Sequence, residues 1–248
     1  MDPQEKGFYQ SLLTIVVIVG TILLYFIITI IRYQRRSMRL HKEKIKAEID
    51  TLENERKRIA SDLHDELGPL LSAVKLQINN LETTDTDDMQ LIEKSSRHID
   101  VIIKKLREIS NDLMPNTLLR KGLKKAIEEF VGNSQEDYKL PIKFICEQEL
   151  QLDQNKEINL YRIVQEVVHN TVKHAKASML IIKISIQDGR LFLMTADNGA
   201  GFDYFLKIRD NMGLGLRNLQ SRTEVMGGEF TCISEPGKGV AYTIEIPV

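Results

Sequence analysis

"YRIVQEVVHNTVKHAKAS", residues 161–178, decides how the second half of the chain is read. Ile163, Val164, Val167 and Val168 recur at helical spacing, so one face of a helix is built for a core. Glu166 and Asn170 stand four residues apart, and Lys173 and His174 continue their face. A carboxylate, an amide oxygen and a cation thus line up along one stripe. Hard oxygen ligands of this kind suit Mg2+, with a cation at hand for phosphate.

Two glycine-bearing stretches follow. "ADNGAGF" (196–202) ends a strand with Asp197, Gly199 and Gly201, a turn able to press close to a planar ligand while Asp197 accepts a hydrogen bond. "NMGLGLRNLQSR" (211–222) places Gly213 and Gly215 ahead of a helix, where free backbone amides can bind phosphate oxygens. Each stretch alone has an ordinary loop-and-cap reading, but in this order and spacing they reinforce one another. The pattern around them predicts helices near 119–131, 156–176 and 214–226 and strands at 141–148, 178–187, 190–197, 228–235 and 240–247, with "QDG" (187–189) as a hairpin turn. Strands mixed with helices, without regular alternation, indicate an α+β sandwich over residues 115–248.

The first half is helical and begins in lipid. "SLLTIVVIVGTILLYFIITII" (11–31) has no charged residue and is long enough to cross a hydrocarbon core, which needs about 20 helical residues. It reads as one transmembrane helix after a short extracytoplasmic segment, residues 1–10. Asp2 and Glu5 against Lys6, together with the length of the apolar run, disfavour a cleaved signal peptide. Arg32, Arg35, Arg36, Arg39, Lys42 and Lys44 follow at once, which places residues 32–248 in the cytoplasm. Met38, Ile45, Ile49, Leu52, Ile59 and Leu63 fit a/d heptads, so residues 32–53 read as a parallel coiled coil and the protein as a homodimer. Residues 54–114 then form a helical hairpin turning at "TTDTDD" (83–88), and two such hairpins make a four-helix bundle.

Within that hairpin, "ERKRIASDLHDELGPLLSAV" (55–74) carries a histidine among aspartates and then a helix breaker. In the heptad register Leu63 is an a position, which puts His64 beside the seam, facing solvent. Ala60 and Gly68, its one-turn neighbours, are small and leave a clearing. Asp65 is adjacent and Asp62 two residues earlier; a nearby carboxylate can take or orient the ring proton and leave one nitrogen free as a nucleophile. Pro69 cannot donate to the carbonyl of Asp65 and crowds it, which predicts a bend within a turn of the histidine.

Together these residues resemble the sensor histidine kinases of bacterial two-component systems, whose catalytic domain has the Bergerat ATP-binding fold. Glu166 and Asn170 match the N box, with Lys173 and His174 beyond it; Asp197, Gly199 and Gly201 match the first glycine box; Gly213, Gly215 and Leu216 fall at the second. Arg58, Ile59, His64 and Asp65 look like the phosphoacceptor helix of the subfamily that pairs with NarL-type response regulators. The resemblance implies adenine bonded by Asp197, Mg2+ held through Asn170 with Glu166 nearby, and a lid at about 202–213. It also implies phosphoryl transfer from ATP to His64, assisted by Asp65 and Glu166, then to an aspartate of a cytoplasmic regulator with a helix-turn-helix output domain. Val240 stands after "GKG" where relatives usually have threonine, and Pro69 where many carry a glutamine used in dephosphorylation.

Composition narrows the alternatives. A net charge of -1 gives no reason to expect direct nucleic-acid binding. Cys146 and Cys232 lack metal-ligand spacing and read as core residues. Against a membrane-anchored coiled-coil scaffold with a non-catalytic ATP module stands the presence of Glu166, Asn170 and Asp197 together with His64, since a degenerate module is free to lose one; a serine kinase or chaperone ATPase on the same fold would leave the His64 helix without a purpose. The stimulus is expected to arrive through the bilayer or from a membrane partner touching the span.

Overall fold

The computed structural model describes residues 3–204 and 213–248, with side chains from Ile18 onward. It divides into two compact units, Met1–Glu48 and Ile49–Val248. Helix α1, Pro3–Asp62, supplies the first. Its apolar side chains from Ile18 to Ile31 are exposed, and among the described residues it is the one helix long and apolar enough to cross a membrane. That is consistent with a membrane location. The hydroxyls of Thr21 and Thr29 donate to the carbonyls of Ile18 and Tyr25, both at 2.8 Å, so the polar groups of this stretch are satisfied inside the helix, as a lipid setting requires. The expected span over residues 11–31 begins among side chains outside the described residues.

In the second unit α1 is followed by a π-helical turn, Leu63–Leu67, then α2 (Gly68–Asn79) and α3 (Thr86–Leu113). The bend expected at Pro69 takes a different form. Gly68 keeps helical angles (φ -60, ψ -55), and its amide donates to the carbonyl of Leu63, five residues back. The proline lacks an N–H for the carbonyl of Asp65, and the turn before it widens instead of breaking. The extra residue also resets the apolar seam. Leu63, Leu67 and Leu71 are spaced by two fours, after which Val74, Ile78 and Leu81 resume the three-four alternation.

The hairpin is closed by Asp85, whose Oδ1 caps α3 by accepting from the amide of Asp87 at 2.8 Å. Lys75 pairs with Asp100 across α2 and α3 at 2.6 Å, and the buried Ser110 hydroxyl donates to the carbonyl of Ala60 at 3.0 Å. The clearing expected around His64 is therefore half closed, because Ala60 is buried under α3. Leu70, Leu76, Leu91 and Ile102 remain exposed on this hairpin.

The rest is the expected α+β sandwich. After α4 (Asn116–Tyr138) come β1 (Ile142–Cys146), α5 (Gln154–Asn170), a second π turn (Thr171–Ala175), β2 (Leu180–Gln187) and β3 (Arg190–Asp197). Helix α6 (Leu214–Val225), β4 (Glu229–Ser234) and β5 (Val240–Pro247) complete it. The sheet order is β1-β2-β3-β5-β4, with β1 parallel to β2 and the other pairs antiparallel. Asp188 and Gly189, at φ 50 and 73, form the predicted hairpin with positive angles at both central positions. Alternate residues of the strands, such as Ile182, Leu193 and Ile244, bury against Ile163, Val164 and Leu219 of α5 and α6. This packing fixes α5 and α6 over one face of the sheet, side by side. Cys232 joins that core, and burial pushes its thiol up to about 12.

Candidate nucleotide site

A cavity of about 670 Å³ opens where α5 and its π turn meet the loop after β3 and the start of α6. Glu166, Asn170, Lys173 and His174 line it from the helix side. Asp197 and Gly201 line it from the β3 loop, Gly215 and Leu216 from α6, and Gly213 from just before that helix. The sequence motifs converge because the α5 amphipathic face turns Val167 and Val168 into the core and leaves Glu166 and Asn170 at the rim.

Close approaches shape the walls and the loops behind them. Asn170 donates through Nδ2 to Oε1 of Glu166 at 3.2 Å, and a Cβ on Gly215 would stand 2.4 Å from that same oxygen. A side chain there would oblige the Glu166 carboxylate to move aside. Asp197 accepts the amide of Gly199 through Oδ1 at 2.8 Å. That bond folds the loop back on itself and leaves the second carboxylate oxygen to serve as an acceptor. A Cβ on Gly199 would lie 2.3 Å from the carbonyl of Ala175, and Ala200 donates to that carbonyl at 2.7 Å. Gly199 is thus not in the cavity wall but seats the loop against the end of the π turn. Gly201 (φ 58) and Gly239 (φ 77) pass within 2.1 and 2.0 Å, by the same measure, of the carbonyls of Glu235 and Asp197.

Sequence reasoning missed Thr171, Phe202 and Tyr242, which also line the cavity. Tyr242 lies on β5 opposite Thr195, stacks on Phe230 at 5.9 Å, and burial drives its phenol well above the usual range. Its place on an apolar-alternating strand gave it the look of a core residue. The lid expected at about 202–213 lies largely outside the described residues.

His64 and Asp65 are not among the residues lining the cavity; both are exposed on the π turn between α1 and α2. Asp65 accepts from the hydroxyl of Ser61 at 2.8 Å, and Asp62 pairs with Arg58 at 2.9 Å. Among the described residues no group of three or more His, Cys, Asp or Glu could hold a metal ion. A divalent ion here would depend on phosphate oxygens as well as on Asn170 and Glu166.

Two family models match in sequence order: a histidine kinase model over residues 55–118, and the histidine kinase-, DNA gyrase B- and HSP90-like ATPase model over residues 155–248. The chain belongs to the sensor histidine kinases. The pair of domains fits the subfamily that works with NarL-type regulators, and the second domain supports ATP use. This sensor histidine kinase is 34% identical over 210 residues to the sensor histidine kinase MctS of Rhizobium johnstonii, covering 80% of this chain and 44% of that one. It is 28% identical over 223 residues to the oxygen sensor histidine kinase NreB of Staphylococcus carnosus (87% and 62%), and 32% over 205 residues to the sensor histidine kinase ComP of Bacillus subtilis (78% and 26%). The kinase chain thus spans between about a quarter and three fifths of the length of these curated relatives.

Proposed function

We propose that this chain is a membrane-bound, homodimeric kinase that phosphorylates itself on His64 from ATP and passes the phosphoryl group to an aspartate of a response regulator. One observation carries the reading: Glu166, Asn170, Asp197 and Gly215 converge on a single cavity in one domain, while His64 is exposed on a separate helical hairpin. A ring nitrogen of His64 attacks the γ-phosphorus, the bond from that phosphorus to the β,γ-bridging oxygen breaks, and ADP leaves with the electron pair. The imidazole yields its other proton to solvent or a nearby carboxylate, for which Asp65 and Glu166 are the candidates. The aspartate of the regulator then takes the phosphoryl group and neutral histidine returns.

The cavity fits these roles. Asp197 has an oxygen free for the adenine amino group, and the first amides of α6, the Lys173 ammonium and the His174 ring line the cavity where the phosphates would lie. With Nδ2 of Asn170 directed to Glu166, its amide oxygen is the group to hold Mg2+, with Glu166 beside it. Mg2+ would supply charge neutralisation on the triphosphate. Residues 1–10 are assigned outside, 11–31 to the membrane, 32–53 to the signalling coiled coil, 54–114 to the dimerisation and phosphoacceptor domain, and 115–248 to the catalytic domain. The arginines and lysines from Arg32 to Lys44 support a single pass with the C-terminal bulk in the cytoplasm, and a regulator with a helix-turn-helix output domain is the expected partner. The test is transfer from γ-labelled ATP: acid-labile, alkali-stable label on the chain supports the reading. Label with the opposite stability, or nucleotide binding without label, rejects it in favour of another kinase or a scaffold.

A further inference from the structure

From Arg32 to Glu48, within the first unit, α1 carries charges that are not spread evenly around it. At about 100° per residue, Arg32, Arg35, Arg36, Arg39, Lys42 and Lys46 fall within one arc of about 120°, with Glu43 the one acid among them. Lys44 and Glu48 fall outside the arc and pair with each other at 3.8 Å. The six cations of the arc are exposed and make no ion pair among the described residues.

Holding this end of the chain in the cytoplasm needs positive charge, but does not need it on one side. Two features give that side a meaning. The a/d register through Ile45 and Ile49 puts Arg35 and Lys42 at a positions, where a parallel partner chain would bring like charges together. An anionic surface relieves that repulsion, and a closed seam does not.

Reach is the second feature. At a rise of about 1.5 Å per residue, Arg39 stands about 12 Å and Lys46 about 22 Å along the helix from Ile31, the expected end of the span. The headgroup layer on each side of the hydrocarbon core is only about 5–7 Å thick. On an upright helix Lys46 is therefore about 15 Å clear of the headgroups, beyond the Debye length of about 8 Å, and its attraction to them is screened. Membrane helices tilt by about 20° on average and by as much as about 40°. A lean toward the arc lowers Arg39, Lys42 and Lys46 together and turns Lys44 away from the surface; a lean to the opposite side lifts all three. A row of cations about 21 Å long also matches an extended field of phosphates better than one small anion.

Resting on the membrane reading above, we propose that the arc from Arg32 to Lys46 is a lateral binding face for anionic phospholipid headgroups of the cytoplasmic leaflet, and that α1 leaves the bilayer leaning toward that face.

The test uses the full chain in nanodiscs of phosphatidylcholine, alone or with about a third phosphatidylglycerol. Reductive methylation followed by mass spectrometry gives a rate for each lysine amine, and a phosphate held against the ammonium slows it. In anionic discs Lys42 and Lys46 should react about threefold or more slower than in neutral discs, with Lys44 changed by less than about twofold. The slowing should vanish in about 0.5 M sodium chloride, and Arg35→Gln combined with Arg39→Gln should restore much of the Lys46 rate. Equal slowing at all three lysines, or at none, would overturn the proposal. Inorganic phosphate added to neutral discs should leave the rates unchanged; if it slows Lys42 and Lys46 as the lipid does, the face binds free anions and not the bilayer surface, which also overturns it. A chain that fails to co-purify with the discs would refute the membrane reading and the proposal with it, whereas an embedded chain without selective slowing refutes the proposal alone.

Discussion

Gly215 on α6 stands so close to Glu166 on α5 that a Cβ added to it would meet Oε1 of the glutamate at 2.4 Å and the Asn170 amide nitrogen at 3.2 Å. Gly213, two residues earlier, has no described atom within 4 Å of the same construction. The two glycines of one motif thus have different tolerances. Gly215→Ala should weaken ATP binding at least tenfold, about 1.4 kcal/mol, by pushing Glu166 and Asn170 aside, while Gly213→Ala should stay within about twofold. Isothermal titration with a non-hydrolysable ATP analogue checks both.

The separation of His64 from the cavity sets a second expectation. His64→Gln should abolish acid-labile labelling and leave ATP affinity unchanged, because the nucleophile and the nucleotide walls sit on different elements. Asn170→Asp should lose labelling through the nucleotide side, since it replaces the donor that bonds Glu166 with a second carboxylate. Retained stable label in the first variant, or normal turnover in the second, would contradict the assignment.

Thr195 is buried in β3 and its hydroxyl has no hydrogen-bond partner among the described residues. A buried unsatisfied hydroxyl costs about 1–3 kcal/mol. Thr195→Val, of equal shape, should therefore stabilise the domain by about 1 kcal/mol, read as a higher melting temperature by calorimetry.

Pro69 bears on dephosphorylation. A proline cannot supply the side-chain hydrogen bond with which a glutamine would orient water, so the chain should remove phosphate slowly from its phosphorylated regulator. Pro69→Gln should quicken that loss in the presence of ADP. Rapid loss with wild type, unchanged in the variant, would show that Glu66, Ser72 or another group does the work.

Acid should undock the two domains. Glu53 on α1 accepts from Arg162 of α5 at 3.0 Å and from Arg222 of α6 at 2.7 Å. Burial alone would raise the carboxyl of Glu53, but Arg162 and Arg222 outweigh it and hold the group below its ordinary value of 4.5. A depressed folded value means the stabilisation is fully present above about 4.5 and is lost as pH falls through the lower folded value. Small-angle scattering or hydrogen exchange across pH 5 to 3 should show loosening in wild type and a weaker dependence in Glu53→Gln.

Much of the nucleotide domain was legible because its strands alternate cleanly and its glycines mark backbone contacts. The glycine motifs and their resemblance point to Gly199, Gly201 and Gly215; Gly201 and Gly215 line the cavity, while Gly199 seats the loop against Ala175. Glu53 was not legible. On α1 it looks like one charge among many, and its partners lie 109 and 169 residues away. Arg162 did offer a signal, as a lone cation within an otherwise apolar buried run from Leu160 to Val164. Tyr242 and Thr195 were hidden because a period of two reports which face a residue takes, not whether its hydroxyl has a partner. The π turn was written in the double four of Leu63, Leu67 and Leu71, which a single heptad frame carried through Leu63 does not accommodate.

That turn has an angular meaning. An α-helix advances about 100° per residue, so the one residue accommodated between Leu63 and Gly68 changes the bearing of every side chain on α2 relative to α1 by about that angle. Tightening that turn to an α ladder with every residue kept would rotate Leu71, Val74 and Ile78 off the line of Ile59 and Leu63. The phase between the last turns of α1 and α2 thus depends on whether one turn, at the histidine itself, is π or α, and can change by a whole step without the helix ever coming apart.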